Sequence, residues 1–512
     1  MTSALPTPAP ALLVLGSADD VAVAMRELHE GDIVSGPTGT LTVTTNVPAG
    51  HKIALRDVPV GAHVHKYGQS IGVATAPIVA GGHVHSHNLG YVEEAGDYEI
   101  ATVDVELPDT EKERTFDGYH RVDGRVGTRN YIGILASVNC SASTAKMIAE
   151  QVKPYLAEFP GVDGVVALTH SSGCGMIPTS VGGSVLQRTL HGYAGHPNFG
   201  GLLLLGLGCE MVQVRSILDS APIPSDTLVD TLTIQDTGGI RATVTAGVAA
   251  VRAMLPQLQQ RIRRPAPISK LVLGLNCGGS DGYSGITANP ALGYASDLLV
   301  GAGGTSVLAE VPEVMGAEAL LLRRAVSTQV GQKLLDRLAW WRDYARAGGG
   351  SLDNNPSPGN KAGGLTTILE KSLGAVAKAG RANLSAVIEY AQPIPNGGLV
   401  LMDTPGYDPV SLTGLIGGGS NIIVFTTGRG SVIGARPTPV IKVATNTRMY
   451  DRMSEDMDLN AGRIADGTAS PEQVGREIFE EIIAVASGTK TVSEELGLGQ
   501  EEFVPWQLGA VT

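Results

Sequence analysis

Four cysteines stand at similar places in this chain, each shortly after an apolar stretch that is typical of a buried strand. They are Cys140, Cys174, Cys209 and Cys277, and the apolar stretches before them cover residues 131–136, 164–168, 202–205 and 271–275. In open α/β sheets, ligands bind beyond the carboxyl ends of the strands. If the four strands share one sheet edge, the four thiols face one crevice, where thiolates could bind iron or act as nucleophiles. A single cysteine is more often a small packing residue. Four cysteines in equivalent positions after strands favour a metal site instead. Their spacing matches neither a zinc ribbon nor a ferredoxin.

Histidines form a second group, in the run Gly-Gly-His-Val-His-Ser-His-Asn at residues 81–88. On a strand, the period of two places His83, His85 and His87 on one face. Neutral imidazoles on one face can bind a metal or move protons, whereas the alternative is a solvated edge strand. We expect His83 and His85 to bind a metal, and His85 and His87 to be candidates for proton transfer. His63 and His65 show a shorter version of the pattern.

Arginines and short polar side chains follow or precede the same strands. A guanidinium group pairs with a carboxylate in a bidentate way, and hydroxyl, amide and carboxylate groups bind hydroxyls. The candidate substrate-binding residues are Arg125, Arg129, Asn139, Ser280, Asp281, Asn289, Asp403, Arg429 and Lys442. These groups suit a polyhydroxylated carboxylate that loses its alpha proton and its beta hydroxyl, which requires a base, an electrophile and an acid. His170 is a third candidate for moving protons.

The composition excludes several classes of function. The chain has 512 residues, 43% hydrophobic and 17% charged, with a net charge of −13 and 4% aromatic residues. The net charge argues against nucleic acid and acidic membranes, and no stretch is long enough to span a bilayer. No basic segment precedes the short apolar run near the N-terminus, and four cysteines in so long a chain predict no disulfide framework, so we expect a cytoplasmic protein. The glycines around Arg429 do not fit a P-loop or a full dinucleotide-binding motif.

The elements that must position these residues form an α/β protein, with a small β-rich N-terminal domain and two α/β domains whose sheets are mostly parallel. We expect a flexible arm at 1–10, the β-rich domain at 11–107, a linker at 108–117, and α/β domains at 118–264 and 265–512. Within the first domain, residues 98–107 also have the pattern of a strand. Alternating βα units predict parallel sheets in the other two.

Several motifs together resemble the altronate/galactarate dehydratase family. They are Asp123-Gly124-Arg125-Val126-Gly127-Thr128-Arg129-Asn130-Tyr131, Val138-Asn139-Cys140-Ser141, His170-Ser171-Ser172-Gly173-Cys174-Gly175, Asn276-Cys277-Gly278-Gly279-Ser280-Asp281, Asn355-Pro356-Ser357-Pro358-Gly359-Asn360-Lys361 and Met402-Asp403-Thr404-Pro405-Gly406. The resemblance covers nearly the whole chain, and the first 105 residues resemble that family's SAF-type domain. It implies a sugar-acid hydro-lyase that needs ferrous iron and forms a 2-keto-3-deoxy acid. One departure is Ala375, where the resemblance predicts a cysteine.

The resulting hypothesis is a metal-assisted dehydratase whose site lies between the β-rich domain and the βα body. Iron is the expected cofactor, as Fe²⁺ or as a [4Fe–4S] cluster on three cysteines, and a small anionic sugar acid is the expected partner of a homo-oligomer. Two alternatives stay open, since the family includes relatives that act on sulfolactate: a carbon–sulfur lyase, and a non-catalytic sugar-acid binding protein.

Overall fold

The computed structural model describes residues 10–36, 39–93, 96–107 and 111–508. A small strand-rich unit is followed by two α/β units with parallel sheets, which confirms the expected fold class. The predicted arm at residues 1–9 and part of the predicted linker, 108–110, lie outside the described residues. No helix in the described part of the chain is both long and apolar enough to cross a bilayer.

The N-terminal unit consists of short antiparallel strands joined by tight turns. Its strands are Leu12–Leu13 (β1), Val21–Ala24 (β2), Ile33–Gly36 (β3), Gly39–Thr42 (β4), Lys52–Ala54 (β5), His63–Lys66 (β6), Gln69–Ala74 (β7), His83–Val84 (β8) and Leu89–Gly90 (β9). The sheet orders are β1-β2-β5-β8, β3-β4 and β6-β7-β9. The turn before β5 contains Gly50 at φ +81°, and the turn before β8 contains Gly81 at φ +81°, a conformation that favours glycine. These two turns bring the segments that carry the functional histidines side by side.

The second unit is built on a four-stranded parallel sheet in the order β13-β12-β14-β15. Its strands are Thr115–His120 (β10), Val126–Gly127 (β11), Tyr131–Ala136 (β12), Gly164–Leu168 (β13), Phe199–Gly206 (β14), Leu228–Thr233 (β15) and Arg264–Pro267 (β16). Its helices are Ala142–Val152 (α1), Val181–Ala194 (α2), Val214–Ser220 (α3), Ile234–Thr237 (α4) and Ile240–Gln259 (α5). A small antiparallel sheet, β11-β10-β16, adjoins it, and β10 begins at Thr115 inside the predicted linker.

The third unit contains a seven-stranded parallel sheet in the order β19-β20-β18-β17-β21-β22-β23. Its strands are Val272–Cys277 (β17), Thr305–Leu308 (β18), Leu384–Ile388 (β19), Gly398–Met402 (β20), Ile422–Thr427 (β21), Val440–Ala444 (β22) and Leu459–Asn460 (β23). Its helices are Ala288–Gly301 (α6), Glu318–Leu322 (α7), Thr328–Ala347 (α8), Pro358–Ala362 (α9), Ile368–Val376 (α10), Asp408–Gly418 (α11), Thr447–Arg452 (α12), Pro471–Ala486 (α13) and Val492–Glu495 (α14). The central strands are buried along their whole length, as a sheet covered on both faces requires.

Buried charges join the units. Lys52 of β5 and Lys66 of β6 both contact Glu370 of α10, at Nζ–O distances of 2.8 and 2.9 Å, and all three side chains are at most 1% exposed. The second and third units are joined by Arg129, whose guanidinium group donates to both carboxylate oxygens of Glu494 at 2.6 and 2.7 Å. Because breaking such a pair leaves a buried charge alone, these contacts fix the relative positions of the units.

Residues 98–107, predicted as a strand, are irregular in the structure, so that prediction is wrong. The segment runs along the third unit instead: the backbone N–H groups of Ala101 and Thr102 donate to the carbonyls of Leu322 and Arg323. Tertiary contacts, rather than pairing within the N-terminal unit, therefore satisfy this extended backbone.

Candidate active site

The main candidate site is a crevice at the switch point of the seven-stranded sheet. After β17 the chain moves to β18 on one side, and after β21 it moves to β22 on the other, although β17 and β21 are neighbours. The loops at the carboxyl ends of these strands therefore diverge, which is where open α/β sheets bind ligands. The crevice has a volume of about 560 Å³ and is closed on its far side by the N-terminal unit. Its polar lining includes Glu27, His51, Asp281, Tyr283, Arg429, Asn446, Thr447, Arg448, Arg452 and Asp466.

The N-terminal unit brings a group of imidazoles to this crevice. Strands β5 and β8 pair with Ile53 opposite His83, which places His51 opposite His85. The ring centroids of His51 lie 5.1 Å from those of both His83 and His85, and His87 lies 5.4 Å from His83. The expected grouping of His83, His85 and His87 therefore occurs, although β8 ends at Val84 and a turn, not a strand, positions the last two rings.

Carbonyl groups at the C-terminal end of α9 fix the tautomers of these rings. Nε2 of His85 lies 2.9 Å from the carbonyl oxygen of Lys361, and Nε2 of His51 lies 3.4 Å from that of Ala362. Because a carbonyl oxygen only accepts, both Nε2 atoms carry the hydrogen. Nδ1 of His51 then accepts from Nε2 of His83 at 3.0 Å. This series of hydrogen bonds leaves Nδ1 of His83 without a hydrogen, and no described residue donates a hydrogen bond to it.

Burial keeps His51, His83 and His85 neutral. Desolvation lowers the pKa of His51 to about 4 and the pKa of His83 to about 3, and the neighbouring imidazoles add to the effect. The pKa of His85 is also lowered, first by burial. Since the ammonium of Lys52 further disfavours a positive charge on the rings, they remain neutral at pH 7, the form that can accept a proton.

Asp281 lies in the loop after β17 at the floor of the crevice. Its carboxylate accepts hydrogen bonds from Thr445 at 2.9 Å, Asn446 at 2.9 Å and the Ser284 hydroxyl at 3.0 Å. Burial raises the pKa of Asp281 while these donors lower it. A Cβ on Gly428 would stand 2.1 Å from Cγ of Asp281, so glycine is required for this close approach.

Three arginines line the crevice with their guanidinium groups unpaired. Arg429 follows β21, and Arg448 and Arg452 lie on α12, which follows the neighbouring β22. All three are exposed, and no described residue forms an ion pair or a side-chain hydrogen bond with them. Cδ of Arg429 lies 3.3 Å from the position of a Cβ on Gly363, so this side chain reaches toward the loop that holds His51.

Behind the crevice, Cys277, Glu310 and Glu313 form a buried group that could hold a metal ion, because their ligand atoms all lie within 4.8 Å of one another. No other group of three histidine, cysteine or acidic residues in the described ranges meets this condition. Two ammonium groups already occupy the space: Nζ of Lys378 lies 2.8 Å from Sγ of Cys277, and Nζ of Lys371 lies 2.5 Å from Glu313. A cation would have to displace these lysines.

Electrostatics in this inner group favour a neutral thiol and one ionised carboxylate. Burial raises the pKa of Cys277 to about 12 against the opposing effect of Lys378. Burial and the adjacent Glu313 raise the pKa of Glu310 to about 8, whereas Lys371 and Lys378 lower the pKa of Glu313. The two glutamates thus act as a coupled pair with shared protons.

The other three cysteines lie elsewhere, at the switch point of the four-stranded sheet. Cys140, Cys174 and Cys209 follow β12, β13 and β14, which are adjacent parallel strands, and all three thiols are free and exposed. Cys277 follows a strand of a different sheet and is buried. The expectation that all four thiols face one crevice is therefore wrong, since it assumed a single sheet.

Hydrogen bonds hold the three loops of this edge together. The backbone N–H of Asn139 donates to the carbonyl of Ser172 at 3.0 Å, and that of Met211 donates to the carbonyl of Gly173 at 3.4 Å. The Ser137 hydroxyl donates to Glu210 at 2.7 Å. We call Cys140, Cys174 and Cys209 with these loops the thiol edge. None of its residues lines the crevice at the switch point of the seven-stranded sheet, which we call the histidine crevice.

Of the predicted site residues, Asp281 and Arg429 line the crevice, with His83, His85 and His87 in the histidine group beside it. Ser280 and Asn289 line a small inner cavity that also contacts Asp281 and Cys277. Asn139 and His170 belong to the thiol edge. His170 is buried there, its Nε2 3.1 Å from the carbonyl of Ala136 and its Nδ1 3.0 Å from the Ser172 hydroxyl, and burial lowers its pKa to about 4.

Four predicted substrate-binding residues lie away from the crevice because other groups hold their charges. Arg129 is 1% exposed and paired with Glu494. Arg125 pairs with Asp123 at 2.6 Å in the second unit. The remaining two, Asp403 and Lys442, are buried; Asp403 accepts from the Trp341 indole at 2.7 Å, and Lys442 reaches the carbonyl of Ser431 at 3.5 Å.

Sequence reasoning missed His51, Arg448 and Arg452. His51 follows the turn Val47-Pro48-Ala49-Gly50. Two similar turns in the same chain, Val58-Pro59-Val60-Gly61 and Ile78-Val79-Ala80-Gly81, also precede histidines. This repeat is a signal that could have identified it. The arginines gave no such signal, because only the fold brings α12 to the crevice.

Comparisons with known proteins agree with this architecture. Three family models match in succession: the altronate/galactarate dehydratase SAF domain at residues 10–91, the second domain of D-galactarate dehydratase/altronate hydrolase at 118–259, and the C-terminal domain of D-galactarate/altronate dehydratase at 268–511. Altronate dehydratase of Escherichia coli (strain K12) is 37% identical over 478 residues, 93% of this chain and 95% of that protein. The chain belongs to the altronate/galactarate dehydratase family.

Two further proteins are similar to this chain over most of its length. Galactarate dehydratase (L-threo-forming) of Escherichia coli (strain K12) is 38% identical over 509 residues, 96% of each chain. The beta subunit of (2R)-sulfolactate sulfo-lyase from Chromohalobacter salexigens is 30% identical over 397 residues, 77% of this chain and 97% of that subunit. The expected enzyme class, a lyase of the dehydratase type, is thus confirmed by family, and a purely non-catalytic role is not supported.

Proposed function

We propose that this protein is a hydro-lyase that dehydrates a polyhydroxylated sugar acid of the altronate or galactarate type in the histidine crevice. The observation that carries the proposal is that His51, which is hydrogen-bonded to His83, lines the same crevice as the unpaired guanidinium group of Arg429 and the carboxylate of Asp281. The volume of about 560 Å³ is in the usual range for a small-molecule site.

In this proposal Arg429 binds the carboxylate next to the reacting carbons. A charge-assisted pair with guanidinium both orients the acid and stabilises the negative charge that develops when the alpha proton leaves. Oδ2 of Asp281 accepts from Asn446, and we propose that it accepts a second hydrogen bond from a substrate hydroxyl.

His83 is the proposed base. The alpha proton moves to the free Nδ1 of His83, and His51, which accepts from Nε2 of His83, stabilises the imidazolium that forms. The bond between the beta carbon and its hydroxyl then breaks, and the hydroxide leaves as water with the proton that His83 took up. The enol that remains becomes a 2-keto-3-deoxy acid when its hydroxyl loses a proton and its beta carbon gains one, so the reaction releases one water and needs no oxidant.

The iron that the family resemblance implies has a suitable donor set at the thiol edge. Cys140, Cys174 and Cys209 are free, exposed and carried on three adjacent loops, which suits an iron–sulfur cluster better than the inner group does, where lysines neutralise the ligands. A cluster held there would supply a Lewis acid only to an acid that binds at the thiol edge, which lies apart from the histidine crevice. The proton transfers proposed above depend only on groups of this chain.

The test is an anaerobic assay of 2-keto acid release from altronate and from galactarate, with iron and acid-labile sulfide measured on the same sample. Turnover of at least one acid by the wild type, with loss of turnover in His83→Gln, is expected. Turnover that survives in His83→Gln but disappears in Cys174→Ser would move the reaction from the histidine crevice to the thiol edge.

The identity with the sulfo-lyase subunit favours one alternative, cleavage of a carbon–sulfur bond in sulfolactate. The size of the crevice favours the larger sugar acids, because a three-carbon acid would leave much of its volume of about 560 Å³ unfilled. Incubation with (2R)-sulfolactate and measurement of sulfite separates the two: sulfite release without 2-keto acid from either sugar acid would replace the dehydratase proposal.

A further inference from the structure

Arg448 and Arg452 lie at positions i and i+4 of α12, and therefore on the same face of that helix. Two like charges at this spacing repel each other. The adjacent face carries Met449, which is 3% exposed, and Met453, which directly follows the helix, has its sulfur 2.2 Å from the position of a Cβ on Gly430. The packing of these methionines fixes the rotation of α12 and holds both guanidinium groups at the crevice.

Neither guanidinium group has a partner within the described part of the chain, although acidic residues line the same crevice. Asp281 is engaged with Thr445, Asn446 and Ser284, and Asp466 accepts from the Thr447 hydroxyl. Glu27 is the remaining acidic lining residue and forms no ion pair with them. Two unpaired cations on one face of a crevice are suited to bind an anionic group.

This pair is carried by a different element from Arg429, which provides the proposed carboxylate site. Arg429 belongs to the loop after β21 and reaches toward Gly363, whereas α12 follows β22, the next strand of the sheet. The crevice therefore has cationic groups in two places. A hexonate such as altronate has one carboxylate, whereas a hexarate such as galactarate has one at each end.

We propose that Arg448 and Arg452 form a second anion subsite, which binds the distal carboxylate of a six-carbon diacid and makes such diacids the preferred substrates. This inference rests on the proposed function and specifies its substrate class. Binding energy from the distal carboxylate can be used at the reacting carbons, so the effect extends to kcat/KM as well as to affinity.

The test compares galactarate, altronate and a 6-phosphorylated hexonate, with kcat/KM measured by 2-keto acid release and binding measured by anaerobic isothermal titration. For the wild type we expect galactarate to bind at least about tenfold more tightly than altronate, as one charge-assisted hydrogen bond gives. In the double variant Arg448→Gln/Arg452→Gln, kcat/KM for galactarate is expected to fall about 100-fold and the preference over altronate to disappear. Arg241→Gln, an exposed arginine of α5, is the control that keeps the preference.

The titration separates failure of this inference from failure of the proposed function, because binding is measured without turnover. Equal affinity for galactarate and altronate in the wild type, or a preference that survives in the double variant, overturns the subsite. Tighter binding of the phosphorylated hexonate than of galactarate would assign the subsite to a phosphate ester and overturn the diacid proposal. Absence of turnover with a clear, arginine-dependent preference in binding would retain the subsite and overturn only the dehydratase chemistry.

Discussion

Nδ1 of His51 accepts a hydrogen bond from Nε2 of His83 at 3.0 Å, and the two residues come from neighbouring strands of the N-terminal unit. Nε2 of His51 in turn faces the carbonyl of Ala362 in the third unit. The orientation of the proposed base therefore depends on His51, which lines the crevice, and on the end of α9 in another unit.

Replacing either histidine should affect catalysis in different ways. His83→Gln removes the base and should lower kcat by about 10²–10⁴, the usual range for a general base. His51→Gln retains the base but loses its orientation, and we expect a smaller loss together with a shifted pH profile. Steady-state kinetics and circular dichroism test this, with the exposed His29→Gln as control; equal losses in all three variants would contradict the assignment.

The pH dependence of activity should reflect the lowered pKa values. His51 and His83 titrate at about 4 and about 3, so the neutral base is present above that range and is lost as the pH falls through it. We expect kcat/KM to show no inflection at the ordinary histidine pKa, near 6.5. An inflection there that disappears in His83→Gln would show that the base is more solvated than the structure implies.

Two arginines that look alike in the sequence should have opposite effects. Arg429→Gln should lower kcat/KM by about 10²–10³, through loss of a carboxylate contact, with little change in stability. Arg129→Gln leaves Glu494 buried without its partner and should lower the free energy of unfolding by about 3–5 kcal/mol while the folded enzyme retains its activity. Urea denaturation and steady-state kinetics on both variants test this prediction. A stability loss in Arg429→Gln together with an activity loss in Arg129→Gln would contradict the placement of these side chains.

The buried triad of Lys52, Lys66 and Glu370 should dominate the attachment of the N-terminal unit. The carboxylate neutralises two ammonium groups, so their charges lower the pKa of Glu370. Glu370→Gln should therefore cost about 3–5 kcal/mol in the free energy of unfolding. The matched control is Glu480→Gln, which breaks an exposed pair with Arg114 and should cost at most about 1 kcal/mol.

The cysteines should divide into two classes when iron is measured. Serine at position 140, 174 or 209 should lower iron and acid-labile sulfide together, since each removes one proposed ligand. Cys277→Ser should retain the iron, because its thiol contacts Lys378 rather than the thiol edge. Loss of iron in Cys277→Ser alone, with full iron in the other three, would instead assign the metal to the inner group.

The strands of the parallel sheets were predicted well because their signal is local. Residues 131–136 and 164–168 form strands with the predicted bounds, since a continuous apolar run fits a strand covered on both faces. The histidine group could also be predicted in part, because His83, His85 and His87 are neighbours in the chain. His51 comes from another strand, and its pairing depends on a register that no single segment specifies.

The sequence by itself determined the family, the order of the three units and the types of group that do the chemistry, because composition, hydrophobic periodicity and motifs are carried by consecutive residues. Only the tertiary structure decided which of those groups meet. It separated Cys277 from the other thiols, since two sheets replace the one assumed. It also paired Arg129 with Glu494 while leaving Arg429 unpaired, because the burial and the partners of a side chain depend on residues that lie far from it in the chain.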